Sequence, residues 1–238
     1  MACGLLFAWC DSVHGPFAAV FDKPLWNVLQ DHSHLTNFLV SAARSGIELP
    51  AITRGAAASV VWPASGEVEP AHKPDIVVVL EESTFDPVRL AVCDIAPCRS
   101  DLFRPGAHDV AGGSLLVHTF GGGTFTSEFA VLTGLPHSLF GSAGMYAPYR
   151  LAPLMHETLP QHLHALGYRN AAVYPTEGGF LNARNAYRHY GFDALHDAAE
   201  LGLGWQSSDA EVFAAARQVM EAERVGGQPL FLMVLTIY

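Results

Sequence analysis

The clearest apolar run in the chain is IVVVL at residues 76–80, continuous, rich in β-branched side chains and followed at once by charge. Such a run predicts a strand buried on both faces, the pattern of a parallel sheet covered by helices. Downstream the apolar period changes. ETLPQHLHALGYRNAAVYP predicts a helix that starts near Thr158 and is closed by Gly167, then a strand from Ala171 to Tyr174 stopped by Pro175. SSDAEVFAAARQVMEAERVGG carries a capping box, Ser208 with Glu211, and apolar residues at Val212, Phe213, Ala216, Val219 and Met220, which is helical spacing. Gly226 and Gly227 end that helix, and LFLMVLTIY, residues 230–238, predicts another buried strand. Alternating strands and helices imply an α/β fold, a mostly parallel central sheet with helices on both faces. Residues 1–73 differ: a weakly amphipathic stretch leads into a connector rich in Ala, Pro and Gly, which predicts an arm or linker ahead of a domain that begins at residue 74.

Composition narrows the classes. Half of the 238 residues are hydrophobic and only 15% are charged, so the chain buries much of itself or lies close to a membrane. The formal net charge of -10, with 13 scattered Lys and Arg, excludes a phosphate-backbone binder, which needs clustered cations; no nucleic acid is expected as a partner. The opening MACGLLFAWC lacks a basic leader and stops at Asp11, too short for a membrane span. None of Cys3, Cys10, Cys93 and Cys98 has CxxC spacing; Cys93 and Cys98 suit either a small disulfide loop or free thiols.

Ligands in open α/β sheets gather beyond the carboxyl ends of the strands, which draws attention to Glu81, Glu82, Ser83 and Thr84 directly after the first strand. A carboxylate there suits a hard metal ion or is a solvated or capping acid. In FGGGTFTSEFAVLTGLP, three glycines permit unusual backbone conformations and close approach of a ligand, and TSEFAVLT predicts a short helix ended by Gly134 and Pro136. Thr124 falls just before the N-terminus of that helix, where free N–H groups and the dipole favour an anion. A threonine hydroxyl becomes a nucleophile only beside a base or a cation, and Glu82 is positioned to hold one. Equally, the glycines make a tight turn and Thr124 or Thr126 caps the helix.

PDIVVVLEESTFDP followed by FGGGTFTSEFAVLTGLP resembles the sulfatase-like, metal-dependent phosphotransferases of the alkaline phosphatase superfamily, closest to the lipoteichoic acid synthase and phosphoglycerol transferase branch. The likeness continues through GYRNAAVYP, FLNARNAYRHYGFD and GWQSSDAEVF, covering most of residues 74–238. The resemblance implies that Glu82 is a metal ligand and that Thr124 is both metal ligand and catalytic nucleophile. A divalent ion (Mn, Zn or Mg) would bind the Thr124 oxygen, which attacks a phosphodiester to give a phosphothreonine; water or a glycan hydroxyl then takes the phosphoglycerol or phosphoethanolamine type headgroup. It further implies substrate contacts from Asn182, on an aligned asparagine, and from Arg184, one position from the family's arginine. The substrates would be a phospholipid headgroup or a glycan. The setting would be the cell envelope, on the periplasmic or extracellular face, with membrane segments outside this chain.

Two departures bear on this. The C/S-x-P-x-R stretch of sulfatases proper does not occur, which disfavours a sulfuric ester hydrolase. The family's downstream Asn-His and Asp-His pairs would fall after Tyr238, so residues 74–238 are expected to form the N-terminal part of a catalytic domain, with an unpaired edge at its last strand. The alternative is a shortened, non-catalytic module that binds an anionic headgroup or a partner. The upstream Asp31 to His34 stretch stands in the wrong chain order to replace the missing pair, and His118 and His137 are candidate headgroup contacts outside the core set.

Overall fold

The computed structural model describes residues 2–10, 16, 72–90, 92–104, 106–117, 119, 123–224 and 226–237. The rest of the arm before residue 72, including the residue 31–34 stretch, lies outside them, as do His118 and the first two glycines of the Gly-rich turn. Four strands form one parallel sheet in the order β1-β4-β2-β3. They are β1 (Ile76–Leu80), β2 (Arg169–Tyr174), β3 (Ala194–Asp197) and β4 (Leu230–Leu235). The helices are α1 (Ala2–Cys10), α2 (Thr124–Thr133), α3 (Leu159–Ala165), α4 (Ala183–Tyr190), α5 (Ala198–Leu201) and α6 (Asp209–Glu223), with short 3₁₀ and π turns filling 137–154.

Local sequence explains most of these boundaries. Thr158 caps α3 and Ser208 caps α6, each through a reciprocal capping box, with Gln161 and Glu211 respectively. Gly134, Gly191 and Gly202 end α2, α4 and α5 in the left-handed conformation. The two faces of the sheet are covered differently. On one, Phe129, Leu132, Leu163, Tyr187 and Tyr190 from α2, α3 and α4 pack on Ala172, Tyr174, Phe231 and Met233. On the other, Val212, Ala216 and Val219 of α6 pack on Ala171, Val173, Leu230, Leu232 and Val234.

The expected parallel α/β sheet with helices on both faces is therefore present, with two corrections. The first strand is not buried on both sides: Val77 and Val79 are 48% and 42% exposed, because β1 stands at a sheet edge and α6 reaches only β2 and β4. The last strand is not an edge either. β4 inserts between β1 and β2, and all six of its residues are buried. Among the described residues the open edges belong to β1 and β3. Asp75 fixes the start of β1 against β4, its Oδ1 accepting from Leu230 N at 2.8 Å while its Oδ2 pairs with Arg224.

Leu232→Ala should therefore cost about 2–5 kcal/mol of stability, the range for a buried large-to-small change, whereas Val77→Ala should cost less than about 1 kcal/mol. Urea denaturation of both variants is the check; equal losses would contradict the uncovered face of β1.

Candidate active site

Every parallel strand ends on the same side, and the residues that leave the carboxyl ends of β1 and β4 are clasped together. Thr236 N donates to Leu80 O at 3.2 Å, and Glu82 N donates to Thr236 Oγ1 at 3.4 Å. Thr236 is fully buried, so its hydroxyl has a fixed place. Beyond Glu82 the chain turns sharply through Ser83, whose φ of 54° is costly for a residue with a Cβ. Glu82 is thus held at the sheet edge, half-buried, by backbone on both sides.

Thr124 reaches the same place from a different direction. Gly123 precedes α2 with φ 130° and ψ 29°, a conformation closed to other residues, and this lets the helix begin at Thr124 itself. Thr126, not Thr124, is tied to the turn: its Oγ1 donates to Gly123 O at 2.8 Å. The Thr124 hydroxyl is left toward the Glu82 carboxyl: burial raises the Glu82 pKa and the Thr124 hydroxyl pulls it back.

A second carboxyl lies behind this pair. Glu128, on α2, is only 5% exposed and accepts a hydrogen bond from Tyr187 Oη at 2.8 Å. Burial pushes its pKa up to about 7; the Tyr187 hydroxyl acts the other way and the charge of Glu82 adds to the rise. Phe125, Glu128, Tyr174, Leu181 and Tyr187 line a cavity of about 10 Å³ here. Glu128, Tyr187 and Thr236 are absent from the sequence-derived site. The only cue for Glu128 was its place one turn after Thr124 in an otherwise apolar helix; Tyr187 and Thr236 gave none.

Asn182 and Arg184 lie in a different set of contacts. Asn182 is left-handed at φ 59°; its Nδ2 donates to Pro148 O at 2.9 Å and its Oδ1 accepts from Asn185. Arg184 donates to Asp197 Oδ2 at 2.6 Å, Glu200 Oε1 at 3.0 Å and Leu195 O at 3.1 Å. Burial alone would raise the Asp197 carboxyl, but the Gly178 N–H and the Arg184 guanidinium hold it below its ordinary value. Leu181 and Ala183, either side of Asn182, line the Glu128 cavity. The structure thus brings Glu82 and Thr124 together; Asn182 stands between two residues of the Glu128 cavity wall, whereas Arg184 lines a separate surface cavity with Arg188, Asp193 and Glu200, and each already has protein partners. Among the described residues no three or more His, Cys, Asp and Glu side chains cluster as a complete metal site. Cys93 and Cys98 are joined as a disulfide.

The fold and the paired Glu82 and Thr124 define an α/β chain with an oxygen-donor site at the carboxyl edge of its sheet. The chain belongs to the Sulfatase family, whose sequence model matches residues 74–238. A Haemophilus influenzae protein of uncharacterized function is 35% identical over 176 residues, which is 69% of this chain and 32% of that protein. A Rhizobium meliloti protein named "Putative cyclic beta-1,2-glucan modification protein" is 32% identical over 123 residues, 51% of this chain and 18% of its own length. The chain therefore spans a third or less of these relatives. Among solved structures, the lipoteichoic acid synthase LtaP from Listeria monocytogenes aligns with 48% of this chain and 28% of its own at 19% identity and TM-score 0.42. An alkaline phosphatase superfamily protein from Vibrio parahaemolyticus aligns with 45% of this chain and 27% of its own, at 24% identity and TM-score 0.35. Both superpositions fall below the level from which a shared fold follows.

The buried Glu128 sets a pH dependence. Its pKa of about 7 in the folded chain lies above the ordinary 4.5, so the contribution to stability is fully present below about pH 4.5 and is lost as pH rises through 7. The loss is on the order of 3 kcal/mol. Glu128→Gln keeps the Tyr187 hydrogen bond and removes the titration, so thermal melts between pH 4.5 and 7.5 in the presence of a chelator should show a falling melting temperature in the parent and a flatter profile in the variant. Parallel profiles would mean that Glu128 stays ionised throughout.

Proposed function

We propose that the protein is a metal-dependent phosphotransferase or phosphodiesterase that passes a phosphoglycerol or phosphoethanolamine type headgroup through Thr124. The observation that carries this reading is the Thr124 hydroxyl, at the first position of α2, set against the half-buried Glu82 carboxyl. The donor set fits an oxygen-preferring divalent ion, Mn, Zn or Mg, held by Glu82 and Thr124 Oγ1, and two raised carboxyls close together are the electrostatics such an ion relieves. When bound, that ion supplies the positive charge that makes a threonine hydroxyl nucleophilic near neutral pH.

The chain's own groups do the rest. Glu82 fixes the direction of the Thr124 hydroxyl, and the positive end of the α2 dipole meets the incoming phosphodiester. In transfer, the Thr124 Oγ1–P bond forms as the P–O bond to the lipid alcohol breaks; Thr124 gives up its proton and the departing alcoholate takes one from water. An acceptor hydroxyl then attacks phosphorus, the Oγ1–P bond breaks and Thr124 recovers a proton. The name of the Rhizobium relative supports a glycan as acceptor. The Cys93–Cys98 disulfide supports an oxidising compartment, which agrees with the periplasmic or extracellular face of the envelope. No helix among the described residues is long and apolar enough to cross a membrane. In this reading Asn182 and Arg184 border the headgroup, Arg184 as a bidentate phosphate contact that must leave a carboxylate partner to act.

A second reading, a non-catalytic module for an anionic headgroup, is favoured by the lack of a third clustered metal ligand among the described residues. Thr124→Ala separates the two. With a phosphatidylglycerol substrate and Mn added to the native protein, the variant should lose turnover by about a thousandfold or more and lose the phosphothreonine seen by mass spectrometry. Unchanged turnover would sink the nucleophile assignment, and headgroup binding without turnover in the parent would favour the module.

A further inference from the structure

Two large aromatic side chains stand together in solvent on the carboxyl side of the sheet. Phe180, in the turn leaving β2, and Trp205, in the loop after α5, are 43% and 53% exposed. Their rings meet edge to face, with centroids 5.0 Å apart and planes at 89°. A single exposed aromatic is ordinary surface. This pair, however, is presented by backbone that resists relaxation. Leu181 and Asn182 both adopt left-handed φ, 49° and 59°, a costly conformation for residues with a Cβ. Asn182 N donates to Gly179 O at 3.1 Å, Arg184 N to Gly178 O at 2.8 Å and Asn182 Nδ2 to Pro148 O at 2.9 Å, which locks the turn. Its result is a division: Leu181 lines the cavity beside Glu128, while Phe180 is turned outward against Trp205.

We propose that Phe180 and Trp205 form a stacking ledge for a pyranose ring, the subsite for a neutral glycan acceptor; its role as an acceptor site rests on the transferase reading above. Aromatic faces receive the C–H face of a sugar, and the exposed Glu177 and Gln206 in the same two loops supply hydrogen-bond partners for hydroxyls. Charge selects among ligands. Arg184, beside this turn, is held by Asp197 and Glu200, and the chain carries a net -10, which favours a neutral glycan over an anionic polymer at the ledge.

The test is titration of cyclic β-1,2-glucan into the unaltered protein with chelator present, followed by calorimetry, alongside Trp205→Ala, Phe180→Ala and Trp205→Phe. Saturable binding, weakened about tenfold in each alanine variant and kept within about threefold by Trp205→Phe, is expected. Melting temperatures establish that the variants fold. Absent binding, or equal affinity in all four proteins, overturns the ledge; so does loss of binding to phosphatidylglycerol vesicles in the alanine variants with glucan binding unchanged. Because the titration needs no turnover, a protein that binds glucan through the ledge yet never cleaves a phosphodiester sinks the transferase reading alone. One that cleaves the diester but binds no glucan sinks the ledge alone.

Discussion

The parallel pairing of β1 with β4 is the constraint on which the rest of the site depends. Their register, Ile76 with Phe231 through Leu80 with Leu235, delivers Thr236 to the point where β1 ends. There its buried hydroxyl and amide take hold of Glu82 N and Leu80 O. A slip of one residue would turn every side chain of β1 to the opposite face and move Glu82 away from Thr124. The register is held at the other end by Asp75, which accepts from Leu230 N and pairs with Arg224. A carboxylate can be aimed from an edge strand only when both ends of that strand are pinned.

Pinning Glu82 has an electrostatic consequence. It places one half-buried carboxyl near the fully enclosed Glu128, and each makes the other's ionisation less favourable. The hydroxyls of Thr124 and Tyr187 stabilise the two charges only in part, since burial outweighs hydrogen bonding at both. Tyr174, whose hydroxyl is pushed up by burial and by both glutamates, walls the same space without adding charge. Such a site gains stability from any cation that enters it, and the opposite is true for an anion arriving alone. Binding a phosphodiester therefore asks for a cation first or for a guanidinium brought in from the border.

How far this was legible in the sequence follows from the range of the interactions. The strands and capping boxes are local: IVVVL, LFLMVL, and Ser208 with Glu211 declare themselves within a few residues. Glu82 and Thr124 were legible because the flanking strand end and glycine turn are as local as the residues themselves. Exposure of Val77 and Val79 was not, since it depends on where α6 crosses the sheet, and a continuous apolar run reads identically at an edge or in the centre. Strand β3, ALHD, has four residues and too little apolar pattern to announce itself. Without β3 the partner of Arg184 could not be foreseen, because Asp197 is the last residue of that strand. Glu128 reads as an exposed helical acid until α4 brings Tyr187 over it.

The β3 contacts also explain why the border of the site is rigid. Gly178 N donates to Asp197 Oδ2 at 2.9 Å, and a Cβ on Gly178 would lie 2.9 Å from both that oxygen and Arg184 Nε. Only glycine lets the turn, the aspartate and the arginine meet. Asp197 also accepts from Ala199 N and Glu200 N, capping α5. One buried carboxylate thus ties the turn after β2, the end of β3 and the start of α4 into a single body. For Arg184 to reach a phosphate it would have to leave Asp197 uncompensated beside the turn that carries Leu181 and Phe180. That cost is what a bidentate phosphate contact from Arg184 has to offset.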